Sequence, residues 1–235
     1  MNRAPTADAI APAGPLTERI WTDSAPIRER IDRLPLLRTL ADGTLEPEVF
    51  VRYLEQDGHY LEDYRRALAM LAVRADDPDA ASLWASSAAE AVGEEQQMQA
   101  DVLADDALAA LVTEGPPTLT TRAYGAFLLA ATAYEPYPVG VAAVLPCYWV
   151  YAELGAVLAA RADGVPDHRY AAWAAAYGDE SFHTVARRAV AEMERIGSLQ
   201  TPAMQERMRQ VFLDATHFEE RFWQAATDGE HWDSL

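Results

Sequence analysis

The chain has 235 residues, half of them hydrophobic, with a formal net charge of −18, 12 glycines and a single cysteine. That much apolar material fills a core, and abundant alanine with sparse glycine favours an all-α protein. The negative charge opposes nucleic-acid phosphates and anionic membranes as partners, and one cysteine rules out an internal disulfide, which fits a reducing cytoplasm.

Residues 1–14 carry Pro5 and Pro12 and little periodicity, and read as a flexible tail without a secretory pattern. No apolar run reaches the roughly 18 residues of a membrane span. From residue 15 to 40 an amphipathic pattern through Ile20, Trp21, Ile27, Ile31 and Leu34 is broken into pieces by Pro26 and Pro35. Asp42-Gly43 signals a turn, and Pro47 opens a helix predicted to run to about residue 75. Its apolar stripe includes Phe50, Tyr53, Leu54, Tyr60, Tyr64 and Leu68, with Asp57 in the middle of it. A carboxylate on a core face needs hydrogen-bonded partners, because burying it alone is costly. A tie between helices and a chemical role fit that position equally.

Asp77-Pro78 caps an acidic helix to about residue 112, and Gly115-Pro116-Pro117 closes it. A helix over 119–133 carries Tyr124 and Phe127. Pro136 and Pro138 separate it from an apolar helix containing Leu145-Pro146-Cys147-Tyr148-Trp149-Val150-Tyr151, where Pro146 predicts a bend. Tyr151 stands one turn beyond Cys147 on the same face. A free cysteine is most often a small buried hydrophobe, and a nucleophile where a neighbouring group takes its proton. A long helix is then predicted over 167–196, weakened at Gly178, and a last one over 202–226. On the last, Glu219 shares a stripe with Phe222 and Trp223, while Glu220 should face solvent. The expectation is one helical domain, 15–235, of about seven long helices.

Bundles build sites from side chains on facing helices. Asp57, Tyr60, Tyr64, Tyr124, Cys147, Tyr151, Tyr177 and Glu219 are the inward candidates. Together they combine a thiol nucleophile, acids that move protons, and aromatic surface for a heteroaromatic ring. Asp179 and His183, four apart on a helix, offer a metal-ligand pair, but too few histidines accompany them for a two-metal helical site. No glycine-rich phosphate loop is present.

The blocks Asp42-Gly43-Thr44-Leu45, Phe50-x-x-Tyr53-x-x-Gln56-Asp57-x-x-Tyr60, Leu145-Pro146-Cys147-Tyr148-Trp149-Val150-Tyr151-x-Glu153-x-Gly155, Tyr177-Gly178 and Glu219-x-x-Phe222-Trp223 occur in the order found in the TenA/thiaminase II family, which this chain resembles from about residue 15 to 227. The resemblance implies the heme-oxygenase-like helical fold and cofactor-free hydrolysis of an aminomethylpyrimidine, or of thiamine, to hydroxymethylpyrimidine in thiamine salvage. It makes Cys147 the nucleophile, Glu219 the acid/base and Asp57 the ligand of the ring's amino group. Tyr60, Tyr124, Tyr151, Tyr177 and Phe222 would shape the pocket. It further implies a homotetramer with a small-molecule partner, beside the cytoplasmic expectation from the single cysteine. Gly58, His59, Phe127 and Gln99 depart from the usual residues and bear on substrate preference. Two other readings stand beside it. One is a metal-dependent oxidase of the same fold using Asp179, His183 and glutamates such as Glu94. The other is a non-catalytic pyrimidine-binding or regulatory protein. The hydrolase reading requires the Cys147 sulfur beside an opening and Glu219 turned inward.

Overall fold

The computed structural model describes residues 10–113 and 115–230, apart from the side chains of residues 94–96, 98–99, 101–103 and 176–177. Eleven α-helices and no strands occur among the described residues: α1 (Pro15–Asp23), α2 (Ala25–Ile31), α3 (Pro35–Ala41), α4 (Pro47–Arg74), α5 (Pro78–Ala104), α6 (Asp106–Ala109), α7 (Leu119–Tyr134), α8 (Tyr137–Ala162), α9 (Ala171–Tyr177), α10 (Glu180–Ser198) and α11 (Pro202–Asp228). Proline opens many of them. Pro15, Pro35, Pro47, Pro78 and Pro202 each occupy the first helical position, where the missing N–H has no intrahelical partner to lose.

The chain forms two compact units, each assembled from two stretches of sequence. The first comprises residues 1–45 and 141–220, and the second residues 46–140 and 221–235. In the first, Trp149 of α8 is wholly buried and stacks on Trp21 of α1, centroids 4.0 Å apart. Arg28 lies 3.5 Å over the Trp21 ring and reaches Glu153 of α8 at 3.2 Å. Glu194 of α10 accepts from the Thr17 amide and hydroxyl, both at 2.8 Å, so it caps α1 from a distant part of the chain. In the second unit, α4 packs against α5 and α7. Arg74, at the end of α4, donates to the carbonyls of Thr132 and Glu135 and closes the end of α7.

Four expectations need correction. Ile10 is buried, and its carbonyl accepts the Trp149 indole N–H at 3.0 Å, so residues 10–14 are docked rather than tail; residues 1–9 lie outside the described part. The helix expected over 167–196 is two, α9 and α10, because Asp179 leaves helical geometry to cap α10 through Ser181. The helix ending near residue 112 stops at Ala104, where Asp105 caps the short α6. Finally, α8 is long and apolar enough to cross a membrane, with a mean hydropathy of 1.6 in its best window. That window is 78% buried within the protein, as a core helix would be. α8 continues through Pro146.

Candidate active site

α8 shows the site's most telling feature. Every residue from Val141 to Ala152 is buried except Cys147, which is partly exposed. A cysteine serving only as packing would be closed over like its neighbours. Here the one thiol of the stretch belongs to its one residue that is not closed over. Pro146 before it is buried, and Tyr151, one turn on, is 5% exposed. Glu219 of α11, in the same unit, is 1% exposed, so the acid on the last helix faces inward as its stripe predicted.

The second unit holds Asp57, Tyr60, Tyr124 and Phe222. Asp57 is 3% exposed, and Tyr60 follows it by one turn of α4 on the same buried face. Tyr60 stands at the centre of an aromatic cluster, with ring centroids 4.9 Å from Tyr124, 5.3 Å from Tyr64 and 5.6 Å from Phe222. Tyr53 extends the cluster, stacked on Trp223 at 4.4 Å and edge-on to Phe222 at 5.9 Å. Three residues selected as ring binders, drawn from three helices, therefore meet in one buried cluster on the α4 face that also carries Asp57. Aromatic rings and a carboxylate are the group types that stack on and hydrogen-bond a flat heterocycle carrying an amino group. The Tyr177 side chain lies outside the described residues, as do those of Glu94 and Gln99.

A cleft of about 680 Å3 lies elsewhere in the first unit, lined by the end of α8, the 163–168 connection and α9. Its walls carry Asp163, Asp167, His168 and Asp179 among alanines, and none of the residues selected for the aminopyrimidine site. Asp179, half of the expected metal pair, accepts from the Ser181 amide at 2.8 Å as a helix cap. His183 is buried. Among the described residues no group of three or more histidine, cysteine or acidic side chains is arranged around a common point.

Residues 23–229 match the TENA/THI-4/PQQC family. The chain belongs to that family. It is 39% identical over 221 residues to the thiamine biosynthesis multifunctional protein ThiED of Corynebacterium efficiens, covering 94% of this chain and 29% of that protein. The chain thus spans less than a third of that relative. It is 25% identical over 215 residues to the aminopyrimidine aminohydrolase of Halalkalibacterium halodurans, covering 91% of this chain and 96% of that one. Among solved structures, a TenA homologue from P. horikoshii superposes with a TM-score of 0.80 at 27% identity, over 91% of this chain and 99% of that one. A Shewanella denitrificans domain described as having a heme oxygenase-like fold superposes at 0.65 with 14% identity, over 91% of each chain, and bears on the fold alone. The all-α, heme-oxygenase-like expectation therefore holds for this TenA-family chain.

One expectation next to the site fails. Glu220 is 8% exposed rather than solvated. Arg30 of α2 grips it through two hydrogen bonds of 2.7 and 2.8 Å. The hydrogen bond from Arg30 holds the Glu220 carboxyl below the usual glutamate range, against the opposing pull of burial, with further help from the Arg30 charge and His217. Its pKa is thus lower folded than unfolded, so between the two values the unfolded chain binds more protons. The stabilisation is complete above the unfolded value of about 4.3 and is lost as pH falls through the folded value. Unfolding midpoints measured from about pH 6 down to about pH 3 should fall more steeply for the wild type than for Glu220→Gln. Parallel curves would show that Glu220 contributes nothing to acid sensitivity.

Proposed function

We propose that this chain is an aminopyrimidine aminohydrolase of thiamine salvage, releasing the amine from an aminomethylpyrimidine, or the thiazole from thiamine, to leave hydroxymethylpyrimidine. The observation that carries the proposal is the partly exposed Cys147 in an otherwise buried stretch of α8. The name of the Halalkalibacterium relative, matched over nearly its whole length, supports the same activity.

In this reading the Cys147 thiolate adds to a ring carbon while Glu219 gives a proton to a ring nitrogen, so the ring loses its aromaticity without accumulating charge. The electrons returned from that nitrogen expel the exocyclic amine, which carries a proton taken from water and so leaves as ammonia and produces a methylene group. Water adds to the methylene carbon and gives up one proton to the solvent, the nitrogen proton returns to Glu219, and the C–S bond breaks to regenerate the thiolate and the aromatic ring. The net change is replacement of amine by hydroxyl, with no oxidation or reduction. Asp57 holds the ring's amino group, and Tyr60, Tyr124, Tyr151, Tyr177 and Phe222 shape the ring's surroundings. A cytoplasmic homotetramer without a nucleic-acid or membrane partner completes the proposal, resting on family resemblance, the negative charge and the single cysteine.

The test is ammonia release from 4-amino-5-aminomethyl-2-methylpyrimidine, with thiamine assayed in parallel for thiazole release. Turnover of either supports the proposal, and the ratio of the two kcat/KM values identifies the preferred leaving group. Tight binding of the pyrimidine with no turnover of either compound would sink it and favour a binding protein.

A further inference from the structure

Next to Asp57 on α4, a second face of the helix grips the connection that leads into α7. Glu55 accepts from the Thr113 amide and hydroxyl. His59 Nε2 lies 2.9 Å from the Gly115 carbonyl; a carbonyl only accepts, so that nitrogen carries the proton. Gln56 uses both ends of its amide. Its Nε2 donates to the Pro116 carbonyl at 3.3 Å, and its Oε1 accepts from the Thr118 amide and the Thr121 hydroxyl, both at 2.8 Å. Pro116 and Pro117 offer no N–H of their own, so this stretch presents carbonyls that need outside donors.

Thr118 is the N-cap of α7, accepting from the Thr121 amide at 3.2 Å, and Glu230 accepts from the Thr120 amide at 3.1 Å. The start of α7 is therefore held by Gln56 on one side and Glu230 on another. Tyr124 lies six residues further along α7, about 9 Å on. A tilt of about 10° at Thr118 would move Tyr124 by roughly 1.5 Å, enough to disturb its 4.9 Å approach to Tyr60.

We propose that Gln56 is a positioning residue for the pyrimidine site: its amide clamps the first turn of α7 and thereby sets Tyr124 against Tyr60. Each of the three hydrogen bonds of Gln56 ends on Pro116, Thr118 or Thr121, and on neither ring. Gln56 acts through the helix that carries one of them, from a position next to the carboxylate assigned to the ring's amino group. The kinetic consequence rests on the aminopyrimidine reading; the structural consequence does not. An amide satisfies all three bonds, because it accepts from Thr118 and Thr121 while donating to Pro116. Glutamate keeps the acceptor bonds and loses the donor; methionine loses all three.

The test compares Gln56→Met and Gln56→Glu with the wild type. The readouts are the fluorine resonance of 3-fluorotyrosine at position 124, assigned by its loss in Tyr124→Phe, amide exchange across residues 118–124, and the kinetics of ammonia release. Gln56→Met should shift the resonance, raise exchange in the first turn of α7 about tenfold and raise KM about tenfold, the equivalent of a lost hydrogen bond. kcat should change less than about threefold, since the reacting groups are untouched. Gln56→Glu should recover most of each change. If Gln56→Met does not fold, Thr121→Val removes one clamp bond alone and should shift the same resonance.

An unchanged resonance and unchanged exchange in Gln56→Met overturn the clamp, whatever the activity. A shifted resonance with KM unchanged, or a fall in kcat alone, overturns its role in binding. If the wild type neither binds nor hydrolyses the pyrimidine, the proposed function fails, and the fluorine and exchange readouts still decide the clamp.

Discussion

Cys147→Ser is expected to lower kcat for ammonia release by roughly a thousandfold or more, while the Kd of the aminopyrimidine stays within about threefold. Serine nearly matches cysteine in size, so the substitution leaves the buried path of α8 around it undisturbed. It replaces a thiol with a hydroxyl that is far less acidic and far less nucleophilic, and the step that breaks ring aromaticity loses its nucleophile. Glu219 cannot compensate, because protonating a ring nitrogen without a nucleophile leaves the leaving group in place. Calorimetric titration of the pyrimidine onto the variant, beside the ammonia assay, separates binding from chemistry. Turnover within tenfold of the wild type would remove covalent catalysis from the account. Loss of binding together with turnover would mean that the thiol is part of the ring's seat and not the attacking group.

The largest expected effect on stability is at Trp149, two residues along the same helix. Its indole is wholly buried, stacks on Trp21 with an interplanar angle of 11°, meets Phe212 edge-on at 6.2 Å and donates to the Ile10 carbonyl. Trp149→Ala removes those contacts, leaves a cavity and strips the Ile10 carbonyl of its donor, and should cost about 3–5 kcal/mol in urea unfolding. Trp149→Phe keeps an aromatic face for Trp21 and loses the N–H, so it should cost about 1–2 kcal/mol. The gap between the two variants measures the packing share. A cost below about 1 kcal/mol for Trp149→Ala would mean that the surrounding helices close over the void. Two residues of one motif thus differ in their surroundings: Trp149 is wholly buried and anchors the helix, while Cys147 is partly exposed.

Glu219 and Glu220 show how far the sequence could be read. Glu219 lay on the stripe of Phe222 and Trp223, and that periodicity correctly turned it inward. Glu220 lay off the stripe, which suggested solvent, yet it is buried under Arg30, a residue 190 positions away. Helical periodicity reports one helix's own faces and carries no information about which distant side chain will cover the other face. The aromatic residues follow the same rule. The spacing of Tyr53, Tyr60 and Tyr64 put them on one buried face of α4, but that Tyr124 and Phe222 join Tyr60 is a matter of how three helices pack.

By itself the sequence determined the all-α class, most of the long helices and their starts, and the candidate residues. Those properties are local: a proline suits the first turn, a turn needs glycine or a capping side chain, and a stripe recurs with the helical period. The break between α9 and α10, the docking of Ile10 on Trp149, the Gln56 grip on the start of α7 and the exposure of Cys147 alone within a buried stretch were decided only in three dimensions. Each depends on groups far apart in the chain that compete for the same donor, acceptor or space, and no spacing along one segment records which of them wins.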